Sequence, residues 1–116
     1  MKKSFALVVI LFSLCLMACE KPQTEKVDQW MGKWIGPEGT YLILAKRDDK
    51  KYDVNIQSLD YLINYAGHVE GDHIEFRRNK KMEKITAGVG TETGMKWLQD
   101  KKNCLIIQQG EAFCRK

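Results

Sequence analysis

Four residues in one short stretch, His68, Glu70, His73 and Glu75, have the types and the alternation of a metal-ligating set. Imidazole nitrogen and carboxylate oxygen are both good zinc ligands, and alternate residues of a strand share a face. The surrounding "NYAGHVEGDHIEFRR" reads as a hairpin with a two-residue turn at Gly71-Asp72, glycine first as a type II′ turn requires. That register pairs Val69 with Ile74 and Gly67 with Phe76 on a core face. It sets His68 opposite Glu75 and Glu70 opposite His73 on the other. The simpler reading is a solvated face with two cross-strand pairs, each contributing about 0.2–1 kcal/mol. It is the one adopted here, so no metal and no cofactor is assigned.

Nucleophilic chemistry has less to build on. Beyond residue 18 the only serine is Ser58, and neither histidine lies near it in sequence. A nucleophile needs a base within hydrogen-bond reach and a third group to orient that base. Carboxylates are plentiful, but none sits in an apolar run that would raise its pKa. "GVGTETG" at 88–94 lacks the spacing of a dinucleotide-binding loop and any strand–helix–strand unit around it. It reads as a connector. The expectation is a protein without catalysis of its own.

The four cysteines sort by position. Met1-Lys2-Lys3 and the apolar run Phe5–Met17 make a charged head and a greasy core too short for the ~20 residues of a spanning helix. Leu16-Met17-Ala18-Cys19 resembles the lipobox of bacterial lipoproteins. That resemblance implies cleavage before Cys19, acylation of its thiol and loss of Cys15 with the signal. It further implies a membrane anchor through the lipid, and Glu20, in place of an aspartate, implies the outer membrane facing the periplasm. The expected organisation is a signal at 1–18, a lipidated cysteine and polar tether at 19–29, and a small domain at 30–116. Loss of Lys2 and Lys3 lowers the formal net charge from +4 to +2. Neither that charge nor export points to a nucleic-acid partner.

Cys104 and Cys114 remain, and an exported pair is normally a disulfide. "LIIQQGEAF" between them suits a hairpin with Gln108-Gln109-Gly110 as its loop and glycine in the left-handed position. In that register 107 faces 111, 106 faces 112, and Cys104 faces Cys114.

The rest of the chain is rich in short strands. Val27, Trp30, Met31 and Trp34 recur at helical spacing, predicting a short helix near 25–31 ended by Gly32, then a strand carrying Trp34. Strands are expected at 40–46, at Tyr52, Val54 and Ile56, and at 82–87, with turns at 37–39 and 47–51. A helical turn or two is expected at 95–101. The fold class expected is mainly β: a small antiparallel up-and-down barrel or sandwich with a disulfide-bonded C-terminal hairpin. "GKW" at 32–34 after a short helix resembles the opening of the lipocalins, within the calycin group of barrels.

One stretch remains, Thr93-Gly94-Met95-Lys96-Trp97. It resembles the Ser-Gly-x-Arg-Tyr segment of the membrane-bound inhibitors of c-type lysozyme, which are small disulfide-bonded β-barrel lipoproteins. By that resemblance Thr93, Gly94, Lys96 and Trp97 are candidate binding residues for a protein partner in the periplasm. The competing expectation is structural: Met95 and Trp97 plug one end of the core. At this level the chain is expected to be a binding or inhibitory module, with a calycin-like carrier of a small apolar ligand as the alternative.

Overall fold

The computed structural model describes residues 23–116. The expected signal at 1–18, Cys19 and the start of the expected tether lie outside the described residues. Helix α1 (Gln23–Asp28) opens the described chain. Its end falls before Trp30 because the Trp30 amide bonds Val27 O at 2.9 Å in a tight turn, and Gly32, at φ 110°, turns the chain into the first strand.

Eight strands follow: β1 (Gly32–Ile35), β2 (Tyr41–Asp48), β3 (Lys51–Gln57), β4 (Leu62–Glu70), β5 (His73–Arg78), β6 (Lys81–Gly88), β7 (Asn103–Gln108) and β8 (Glu111–Arg115). Each pairs antiparallel with the next, and β8 returns to β1 through Ile35 opposite Cys114. The sheet is therefore a closed up-and-down barrel, not a sandwich. Closure satisfies strand edges that an open sheet would leave bare.

The alternation of apolar and polar residues decides which face turns inward. In β3, Tyr52, Val54 and Ile56 are buried while the residues between them are not. Their neighbours across the sheet fill the same interior: Trp34, Leu42 and Leu44 from β1 and β2, Ile74 and Phe76 from β5, Ile85 from β6, Leu105, Ile107 and Phe113 from β7 and β8. Val27 of α1 is fully buried against them and closes one end of the barrel.

The β4–β5 hairpin has the expected register, with Gly67 opposite Phe76, His68 opposite Glu75, Val69 opposite Ile74 and Glu70 opposite His73. Gly71 alone of the turn pair takes positive φ, as the type II′ turn needs. In the C-terminal hairpin Cys104 faces Cys114 and Ile106 faces Ala112, as expected. The tip differs: Gln108, not Ile107, stands opposite Glu111. With Gly110 left-handed at φ 85° the turn closes one residue tighter, and the extra residue becomes a bulge at Ile107.

Candidate functional site

The long connection from β6 to β7 does not wander. The Gly90 amide bonds Lys101 O at 2.8 Å, so the two ends of the segment meet. The approach is close enough that a Cβ on Gly90 would lie 1.7 Å from Leu98 O. At the far turn, Thr93 is fully buried; its hydroxyl donates to Gly90 O at 2.7 Å and accepts from the Met95 amide at 3.0 Å. The Gly110 amide then bonds Thr93 O at 2.9 Å, and Gln109 Nε2 donates to Glu92 O at 2.8 Å. The segment is a compact loop strapped along the outer face of the β7–β8 hairpin.

That strap explains what lies beneath it. The pleat that sends Leu105 and Phe113 inward sends Cys104, Ala112 and Cys114 outward. Met95 and Leu98 cover these three, forming a second small core with the Cys104–Cys114 disulfide inside it. Residues 96–98 make one 3₁₀ turn, and three residues per turn bring Met95 and Leu98 to the same side. Trp97 is left on the opposite side, 62% exposed. Met95 is buried, but in this second cluster outside the barrel, beside Leu98, and not as a plug at one end of the main core; Trp97 is not buried at all.

The four candidate binding residues therefore divide. Thr93 is an internal hydrogen-bonding post. Gly94, at φ 73°, makes the turn possible, and a Cβ there would also meet Gln109 Oε1 at 2.4 Å. Lys96 and Trp97 face solvent. Beside Trp97 a cleft of about 580 Å³ runs between the strap and β1, lined by Ile35, Pro37, Trp97, Lys101 and Lys116 among others. Ile35 is 51% exposed there. Sequence reasoning passed over Ile35, though a signal existed: next to an inward Trp34 it must point outward, an unusual place for isoleucine.

Arg115 also borders this cleft, but its charge is engaged in the fold. Its guanidinium lies 3.9 Å from the Trp34 ring centroid and donates to Met31 O at 3.1 Å and to Gln29 O. Lys101 and Lys116 also line the cleft, and exposed Lys96 neighbours Trp97 in the strap.

A second exposed apolar group sits at the β3–β4 tip, where Leu59, Tyr61, Leu62 and Ile63 are all more than two-fifths exposed. Ser58 belongs to this turn: its hydroxyl bonds Tyr61 O and accepts from the Tyr61 amide, each at 3.2 Å. The strand register places it at the opposite end of the barrel from His68 and His73. It is a turn residue with no base beside it among the described residues.

Inside the barrel, at the end away from α1, Arg78 reaches Glu111 at 2.6 and 2.8 Å and Glu83 Oε2 at 3.1 Å through Nε. All three side chains are at least three-quarters buried. The two carboxylates hold the guanidinium pKa above its ordinary value, the hydrogen bonds to Glu111 contributing most. Sequence reading missed this cluster because its members are far apart in the chain. Comparison with protein-family models, with curated proteins and with solved structures finds no match to this chain.

Proposed function

We propose that the protein is a lipoprotein, anchored through Cys19 to the periplasmic face of the outer membrane, whose barrel is a non-catalytic module that binds another protein. One observation carries the binding reading: among the described residues the barrel interior holds a continuous core of buried side chains, while large apolar residues stand outside it. A carrier of apolar ligands needs its apolar volume within. A protein-binding module needs an aromatic anchor on the surface with polar groups around it, and Trp97 with Lys96, Lys101 and Lys116 fits that description. The cleft suits a partner segment that offers an apolar side chain to Trp97 and Ile35 and a carboxylate to the lysines.

The anchor is tested by mass spectrometry of the membrane fraction, where a diacylated cysteine at position 19 is expected. Soluble protein with another N-terminus refutes it. Binding is tested by capture from the cell envelope with the wild type beside Trp97→Ala and Lys96→Ala. Loss of one captured species in both variants, with folding intact, is the expected result. The resemblance at 93–97 also names a partner class, a c-type lysozyme, and an inhibition assay addresses it directly. Undiminished lysozyme activity in the presence of the wild type removes that class.

A further inference from the structure

The outer face of the β4–β5 hairpin brings together an imidazole and two carboxylates. His68 Nε2 lies 3.7 Å from Glu70 Oε2 and 3.7 Å from Glu75 Oε1. One ligand atom from each residue falls within 4.8 Å of the others. A zinc ion held at about 2.0–2.2 Å by nitrogen and carboxylate oxygen leaves its ligand atoms about 3.3–3.5 Å apart. Two sides of the observed triangle, at 3.7 Å, are close to that and the third is within 4.8 Å, so closing on an ion takes rotation about the side-chain bonds of Glu70 and Glu75.

A second feature is independent of those distances. Glu75 is a two-ended group here: Oε1 faces His68, while Oε2 is held by His73 Nε2 at 2.9 Å. A carboxylate oriented by a histidine on its far oxygen is the arrangement that fixes ligands in metal sites. His73 is itself only 16% exposed, with Nδ1 3.4 Å from Asp72 Oδ1, so the orienting ring is set in place.

The backbone supplies the remaining rigidity. His68 and Glu70 are alternate residues of β4, and Glu75 stands directly opposite His68 on β5. Strands hold a constellation more tightly than loops do. Lys51 and Lys84 flank the row from β3 and β6, opposite His68 and Glu75 respectively. They flank the carboxylates with positive charge from both sides of the row.

We propose that His68 Nε2, Glu70 and Glu75 form a zinc-class metal site on the β4–β5 hairpin, with His73 as a positioning residue that orients Glu75. Mixed imidazole and carboxylate donors select a borderline transition cation over calcium or magnesium. Three protein ligands leave a fourth position for water or for a donor from a partner.

The test is a calorimetric titration of the oxidised full chain in detergent with zinc chloride, read alongside the histidine side-chain resonances. One saturable site is expected, with the ring of His68 perturbed at Nε2. His68→Ala should abolish the binding, and His73→Gln should weaken it about tenfold. Glu70→Gln is the folding control, because Glu70 is exposed and the change is nearly isosteric. It should lose binding while the metal-free melting curve stays that of the wild type. Binding that survives His68→Ala or Glu70→Gln places the zinc elsewhere, on free thiols for instance, and overturns the proposal. A titration without saturable binding does the same.

Discussion

Tyr52 Oη donates a 2.7 Å hydrogen bond to Asp28 Oδ1, joining the barrel wall to the end of α1 across 24 residues. Lys46 Nζ holds the other carboxylate oxygen at 2.9 Å. Together with buried Val27, these contacts set the helix over one end of the barrel.

The hydrogen bond from Lys46, and then that from Tyr52, hold the Asp28 carboxyl below its ordinary value. A depressed folded-state pKa contributes stability that is present above the unfolded value and is lost as pH falls through the folded one. The wild type should therefore lose melting temperature more steeply than Asp28→Asn does as pH falls below about 4. Parallel melting curves for the two proteins across that range would exclude the linkage.

Tryptophan and leucine side by side in the strap should behave oppositely. Trp97→Ala removes an exposed side chain and should leave stability within about 0.5 kcal/mol. Leu98→Ala empties the small core over the disulfide and should cost about 2–5 kcal/mol. Chemical denaturation of both variants distinguishes them, and equal losses would mean that Trp97 is packed after all.

The Cys104–Cys114 bridge closes a short loop, and its model stabilisation is about 3 kcal/mol. It also forms the floor beneath Met95 and Leu98. The double substitution to alanine should lower the melting temperature and speed amide exchange across residues 89–102 before it does so in β3. Exchange that rises uniformly along the chain would separate the strap from the disulfide.

Arg78 holds two carboxylates in the barrel end, whereas its neighbour Arg77 is exposed. Arg78→Ala leaves Glu83 and Glu111 facing each other without a cation and should cost about 3 kcal/mol or more. Arg77→Ala should cost less than about 0.5 kcal/mol. Equal effects would show that water reaches the cluster and compensates for the loss.

Much of this molecule was legible in the sequence because the relevant interactions are local. A two-residue turn at Gly71-Asp72 fixes a hairpin register, and alternation at Tyr52, Val54 and Ile56 fixes which face is wet. The cysteine pair follows from a tip glycine and ten residues of chain. Those features sufficed for a mainly β fold of short antiparallel strands and left barrel and sandwich both open. Closure was decided by one long-range pairing, Ile35 with Cys114, which no local pattern encodes. The Arg78 cluster and the Trp97 cleft likewise join residues from distant strands. Trp97 in particular reads as apolar, and a composition argument sends it inward. Only the packed fold shows that Met95 and Leu98 already fill the space over the disulfide, and that a 3₁₀ turn leaves Lys96 and Trp97 between them out in water.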